Sequence, residues 1–395
     1  MGHGPAAATA ARFARMYART PEGVAFAPGR VNIIGEHTDY NNGWALPAAV
    51  NLATFVAWAP SDDGAVRVWS ETCGDEAVFE MAEASSAPAA FWARYAWGVG
   101  MALLEEGLPA RAVDLYSDSS VPIGGGLSSS ASFEVALALA YLGEKEAEKV
   151  PRERLVHICR RAENHFVGVN CGVMDQFSSV FGAEGKALLL DCRSLEAREV
   201  AFPSDTVMVV ADTTVRHALG EHTEGYHKRQ QECRRAVEVL ARREAAVSSL
   251  REVTREMIEA HARELGDVLT RRVRHVVSEN DRVLEAADAM AASDVAALGD
   301  LLRASHQSLR DDFEVSCNEL DIMVEVAEGI DGYYGGRLVG GGFGGCTISL
   351  VDEAKAQSFC GELQRRYKEA TGLDAGIHAV RPGRGAGFKG ARCWT

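Results

Sequence analysis

The chain lacks an excess of basic residues. It has 41 Lys and Arg against 56 Asp and Glu, a formal net charge of −15. A protein that neutralises a phosphate backbone shows the opposite balance, so nucleic acid is excluded as the main partner, and an acidic surface suits solubility. No apolar run is long enough to span a bilayer. The nine cysteines include no CxxC pair and no zinc-ligand spacing. Their odd number, in a chain of this length, argues against a disulfide framework and for small buried hydrophobes in a reducing cytosol. No GxSxG is present, which leaves acyl transfer without support. The glycine-serine stretch at 124–132 has neither the Walker GK[ST] ending nor the GxGxxG spacing. There is no internal repeat and no long low-complexity linker.

What is there reads as an ordinary globular protein, 47% hydrophobic and 25% charged. At 395 residues the chain is too long for one ordinary core and is expected to form two lobes. Its first stretch, "MGHGPAAATAARFARMYARTPEG", has the alanine-rich, basic composition of a transit peptide. Phe13, Met16 and Tyr17 nevertheless stand at helical spacing and predict a first helix packed on the body, with the first ten residues frayed. Strand-like runs follow at 53–60, 65–72 and 111–119, and again at 185–194 and 206–214. From Tyr226 to about Asp331 the apolar spacing turns helical, and strands return at 346–353 and 375–382 with a helix between them. Helices and strands come in blocks, which predicts an α+β fold rather than a doubly wound parallel sheet. Pro203 and Ser204 separate two strand-like runs, so the expected domains are 1–202 and 203–395.

Two glycine-rich stretches carry the chemistry. In "GGGLSSSAS" (Gly124 to Ser132) glycines allow a tight turn, serines add hydroxyl donors, and the helix that begins here offers free N–H groups and its positive dipole end. Oxyanions bind such a place. A serine-capped helix after a flexible turn is the plain alternative, but it must explain a triple glycine and a triple serine together. The second run, "GGRLVGGGFGGC" (335–346), precedes a strand and has more glycines than one turn needs. Close approach of its backbone to a ligand, or to the first glycine loop, is the expected reason. Between the two runs lie Glu163 and Asp175. A carboxylate with a serine hydroxyl is a reasonable magnesium set, because that ion takes few protein ligands. Asp175, in "GVMDQF", is either a helix N-cap or a catalytic carboxylate.

The most concentrated polar stretch is "GRVNIIGEHTDYNNG" (29–43), flanked by apolar runs. Together with "VPIGGGLSSSASFEVA", "AENHFVGVNCGVMDQF" and "GGRLVGGGFGGC", in this order, the stretch resembles the galactokinases of the GHMP kinase superfamily. The resemblance runs from about Ala27 to Ala386. It implies a two-lobed GHMP kinase fold with the active site in the cleft between the lobes. It further implies a cytoplasmic enzyme, taken as a monomer, that phosphorylates the C1 hydroxyl of α-D-galactose from ATP with Mg2+. By position, it implies that Glu36, His37, Thr38 and Asp39 face the sugar, with Tyr226 reaching it from the second lobe. Ser70, Gly124, Gly125, Gly126, Leu127, Ser128, Ser129 and Ser130 would contact ATP, and Ser130 and Glu163 would hold the metal. Asp175 would accept the proton and Arg30 would stabilise the transferring charge.

Three features depart from that pattern. "YHKRQ" (226–230) stands where the family usually has Tyr-Asn-x-Arg-Arg, the loop at 217–226 is longer than usual, and Val339 replaces a common threonine. They leave the chemical core intact and bear on the sugar's outer contacts. Two alternatives belong beside the main reading. One is a kinase for N-acetylgalactosamine, L-arabinose or galacturonate. The other is a galactose sensor without catalysis, against which the complete "GLSSSAS" and Asp175 count.

Overall fold

A computed structural model describes residues 4–81, 86–169, 171–215 and 219–389. The chain divides into two compact units. One takes the residues up to Arg30, Ala49–Glu184 and those from Gly383 onward; the other takes Val31–Ala48 and Gly185–Pro382. The expected single boundary after Phe202 differs from this division. Strand Trp44–Ala45 pairs antiparallel with Lys186–Asp191, which pairs in turn with Ala197–Ala201. That three-stranded ladder keeps the hairpin 186–201 with residues 31–48, so the GEHTDYN stretch belongs to the second unit.

The first unit carries a six-stranded sheet in the order Gly387–Phe388, Gly23–Asn32, Pro47–Pro60, Val113–Ser119, Ala65–Ser70 and Asp75–Glu80. The last of these strands, and the helix Ala93–Glu105, were not foreseen from the sequence. Helix Ser129–Leu142 is buried almost all round, as its unbroken apolar text requires. The predicted first helix spans Pro5–Tyr17. It is helical from Pro5, which sits at the helix start, and the Thr9 hydroxyl donates to the Pro5 carbonyl at 3.0 Å; residues 1–3 of the stretch expected to fray lie outside the described residues. Phe13 enters the cluster of Val24, Ala57, Ala59 and Tyr116, whereas Met16 points outward.

The second unit holds an antiparallel sheet in the order Tyr333–Val339, Cys346–Asp352, Thr206–Asp212 and Gly376–Val380. Its helices include Leu219–Leu240, Ala262–Ala291 and Val295–Asp311. Leu250, Val273, Val276, Phe313 and Leu338 anchor one core, and Val209, Phe359, Leu363 and Tyr367 another. The long loop expected at 217–226 is helical from Leu219 on, and residues 216–218 lie outside the described residues. In the sequence "YHKRQ", Arg229 donates to the carbonyls of Phe313 (2.6 Å) and Glu314 (2.9 Å) and so works in the scaffold. Val339 is likewise buried at a strand end.

The second glycine run is a strand and a turn, not a turn alone, and its glycines have local reasons within this unit. A Cβ on Gly335 would stand 2.1 Å from the carbonyl oxygen of Gly299, and one on Gly342 would stand 2.2 Å from that of Val315. Backbone approaching backbone accounts for these glycines without a ligand or the first glycine loop. Eight cysteines are among the described residues, all as free thiols. No described helix is long and apolar enough to cross a membrane.

Candidate active site

In the first unit the sequence brings four expected residues together. The end of strand Gly23–Asn32 lies against the serine loop: the Arg30 amide donates to the Leu127 carbonyl at 3.0 Å, and a Cβ on Gly29 would stand 2.5 Å from that oxygen. Only glycine lets the two backbones come this close. The placement aims the Arg30 guanidinium at Asp175, with Nε and Nη2 at 2.8 and 2.7 Å from Oδ1, while Nη1 donates to the Gly126 carbonyl at 2.8 Å. Ser128 donates to the other oxygen, Oδ2, at 2.6 Å. Asp175 is therefore clamped on both sides. It lies in the first turn of helix Met174–Phe181 and is not its N-cap, which is Val173.

Gly124 and Gly126 take positive φ values of 68° and 67°, and Ser128 takes 52°. These left-handed turns, with Gly125 between them, lead straight into helix Ser129–Leu142, whose first amides lack helical partners and could hold an oxyanion. Leu127 contributes backbone only, since its side chain is fully buried.

Beside these amides is a pocket of about 220 Å³, lined by Ser70, Phe91, Trp92, Tyr95, Ile123, Ser129, Ser130 and Phe133 among others. Phe91 and Ile123 are 54% and 63% exposed. Large apolar side chains left open at a pocket rim suit a flat ring such as a nucleobase. Ser70 is at hand, its hydroxyl accepting from the Cys73 amide at 3.2 Å. The aromatic group at 91–95 escaped the sequence reading, although three aromatics within five residues were a visible signal.

Glu163 sits in a π-helical turn, Ala162–Val167, and is 4% exposed. Burial raises its pKa, while hydrogen bonds from Cys171, Ser130 and Gln176 oppose that rise. The Cys171 thiol is 3.0 Å and the Gln176 amide 2.7 Å from Oε2. Gln176 also donates to Glu134 at 3.1 Å. Gln176, Cys171 and Glu134 were not singled out in the sequence because nothing in their spacing marks a shared contact. Among the described residues no three His, Cys, Asp or Glu side chains gather as a self-sufficient ligand set. A buried carboxylate bonded to a hydroxyl fits an ion such as Mg2+, which takes the rest of its shell from water and phosphate.

In the second unit, His37 and Tyr226 also come together, and Glu36 precedes His37 in the same loop. Glu36 is buried, and its Oε1 accepts from Arg337 (3.1 Å) and from the Gly340 amide (2.8 Å). Arg337 is fully buried in the second glycine run and also donates to the carbonyls of Ile33 and Asn32. It is a further residue missed in the sequence. His37 stands at φ +63° with its ring 5.7 Å from that of Tyr226 and 4.6 Å from that of Phe313. Burial drives its pKa well below the ordinary value, so the imidazole is neutral. Nδ1 meets the Tyr40 hydroxyl at 2.9 Å, and Nε2 is buried with no partner. A buried polar atom of that kind calls for a ligand group. Asp39, half-buried, opens a short 3-10 turn at Asp39–Asn41. Thr38 departs from expectation: it is fully buried and its hydroxyl lies 2.7 Å from the carbonyls of both Gly35 and Trp44. Its one proton is used inside the loop, so Thr38 shapes the loop instead of facing a sugar.

Comparison with known proteins places the chain in a family. The galactokinase galactose-binding signature matches residues 11–60, the GHMP kinases N terminal domain 94–183, and the GHMP kinases C terminal 286–369. A galactokinase of Roseiflexus sp. (strain RS-1) is 42% identical over 376 residues, 95% of each chain. One from Chloroflexus aggregans (strain MD-66 / DSM 9485) is 43% identical over 362 residues, 92% of each. The crystal structure of Lactococcus lactis galactokinase complexed with galactose superposes with a TM-score of 0.90 at 35% identity, covering 96% of this chain and 98% of that one. A mevalonate kinase structure at 15% identity shares the fold, with a TM-score of 0.64. The sequence motifs, the clamped Asp175 and these matches agree: the chain belongs to the galactokinase family of GHMP kinases, ATP-dependent sugar kinases acting on small molecules.

Proposed function

We propose that this protein transfers the γ-phosphoryl group of ATP to the C1 hydroxyl of α-D-galactose, releasing galactose 1-phosphate. The observation that supports it most is the clamp on Asp175, Arg30 on one oxygen and Ser128 on the other, at the mouth of the serine loop. A carboxylate so held has fixed lone pairs to orient a sugar hydroxyl and take its proton. In a loose phosphoryl-transfer transition state the proton leaves late, so orientation counts for more than basicity. Arg30 retains N–H groups beyond those on Asp175 and Gly126, and these can offset charge on the moving phosphoryl group. The amides opening helix Ser129–Leu142 bind phosphate oxygens, and the aromatic pocket takes the base. Ser130 and Glu163 would hold Mg2+, which when bound neutralises charge on the phosphates. Glu36, His37, Asp39 and Tyr226 would meet the sugar hydroxyls, with the vacant Nε2 of His37 as one contact. The proposal extends to a cytoplasmic monomer, consistent with ATP as co-substrate and with free thiols at the described cysteines.

The test is kcat/KM, by coupled ADP detection, for galactose, 2-deoxygalactose, N-acetylgalactosamine, L-arabinose, galacturonate and glucose. Inverting one hydroxyl leaves a buried group unpaired, which costs about 1–3 kcal/mol, so glucose should fall behind galactose by roughly tenfold to a few hundredfold. N-acetylgalactosamine, arabinose or galacturonate ahead of galactose would overturn the substrate and leave the kinase.

A further inference from the structure

Glu279 has no exposed surface and lies on the long helix Ala262–Ala291. Its Oε1 accepts from the backbone amides of Gly35 (3.0 Å) and Glu36 (3.4 Å) and from the Ser305 hydroxyl (2.7 Å). Its Oε2 accepts from Arg282 Nε at 2.7 Å. The same helix reaches the loop at three further points. His275 Nε2 is 3.2 Å from the Glu36 carbonyl, and Asn280 Oδ1 accepts from the Trp44 amide at 2.8 Å. A Cβ on Gly35, whose φ is +105°, would stand 2.9 Å from Val283. His275, Glu279 and Val283 follow at intervals of four and therefore share one helix face.

We propose that Glu279 is the positioning residue of the sugar loop: by holding the amides of Gly35 and Glu36 it sets where the Glu36 and His37 side chains stand, and galactose affinity depends on it. This rests on the galactose reading above. A buried carboxylate is costly unless every lone pair is used and a cation is close. Here four donors converge on it. Burial alone would raise its pKa; Arg282, His275, Arg337 and the Ser305 hydroxyl outweigh burial and bring it down to about 2. The next residue in the loop, His37, is in the left-handed region, where a side chain other than glycine is strained and persists only if its surroundings over-determine it. The two amides on Glu279 immediately precede it. The carboxylate thus fixes the loop before any sugar arrives, and affinity gains from contacts that need not be ordered on binding.

The experiment uses the full chain as wild type, Glu279→Ala and Glu279→Gln. Galactose affinity is read by calorimetry without nucleotide, and affinity for a non-hydrolysable ATP analogue with Mg2+ is read separately, alongside KM for each substrate and kcat. Glu279→Ala should weaken galactose binding by roughly tenfold or more, as expected when two backbone amides lose their acceptor, and leave nucleotide affinity unchanged. Glu279→Gln keeps an acceptor oxygen and should restore part of the loss. A folded Glu279→Ala with wild-type galactose affinity would overturn the proposal. So would galactose and nucleotide affinity falling together, since that is the mark of a general packing defect. If the alanine variant does not fold, Glu279→Gln is judged by the same two criteria. Wild type that binds no galactose would instead sink the substrate reading, so the two failures are distinguishable.

Discussion

Asp175 and Glu134 are carboxylates of the same unit in opposite circumstances. Asp175 is clamped by Arg30 and Ser128, so Asp175→Asn should keep the side chain's shape while removing its charge and, on the proposed mechanism, the proton acceptor. Turnover should fall by about a hundredfold or more, the scale of a positioned general base, while ATP still binds. Near-normal turnover would remove Asp175 from that role. Glu134 is fully buried, with one oxygen bonded to Gln176 and the other without a partner. Burial, and then the nearby Glu163, push its pKa well above the ordinary 4.5. Below that ordinary value both the folded and the unfolded chain hold the proton. As pH rises through it, the unfolded chain releases the proton while the folded chain keeps it, so folded stability declines. Glu134→Gln removes this term. Measured by urea denaturation, the variant should gain on wild type as pH rises above 4.5. A difference that stays constant with pH would contradict the buried, protonated Glu134.

At the scale of elements, the packing of helix Val295–Asp311 on strand Tyr333–Val339 depends on two glycines. Gly299 and Gly335 are so close that a Cβ on either would collide with backbone of the opposite element, 2.1 Å from a carbonyl oxygen in each case. Neither partner is a flexible side-chain end that could give way. Gly335→Ala should cost about 3 kcal/mol or more, at the upper end for overpacking. Gly361 offers the contrast. It lies in helix Ala356–Thr371, and a Cβ there would meet nothing within 4 Å. Gly361→Ala should be stabilising by about 0.4–1 kcal/mol, because it narrows the unfolded ensemble at no steric cost. Denaturation midpoints of the two variants moving in the same direction would contradict this account of the strand–helix contact.

For the whole molecule, each compact unit is assembled from separated pieces of chain, and the chain passes from one to the other at Arg30–Val31 and back at Ala48–Ala49. Arg30, which clamps Asp175, and Glu36 and His37, proposed above to meet the sugar, therefore sit a few positions apart in sequence yet belong to different units. Ligands that bind only the folded state add RT ln(1 + [L]/Kd) to stability. Galactose at about a hundred times its dissociation constant should add about 2.7 kcal/mol to wild type. His37→Ala should lose most of that increment at the same galactose concentration while keeping the increment from the Mg2+–ATP analogue. Equal loss of both increments would mean that His37 supports the fold and not the sugar.

Much of this protein was decided locally and is legible as text. The serine-loop helix, the apolar strands, the α+β arrangement and the polar stretch at Glu36–Asp39 follow from glycine and serine placement and from apolar period, which act over a few residues. The strand Asp75–Glu80 and helix Ala93–Glu105 were less legible because their patterns are short or masked by aromatic residues. Other features depended on pairing between distant segments. Residues 31–48 join the second unit because Trp44–Ala45 finds its ladder partner at Lys186–Asp191. Thr38 turns inward because two loop carbonyls wait within 2.7 Å. Arg337, Glu279 and Gln176 gain their roles only by meeting groups 301, 244 and 13 positions away. Composition and period carry no record of such contacts, because a buried hydrogen bond is a property of two positions in space and a sequence displays only one at a time.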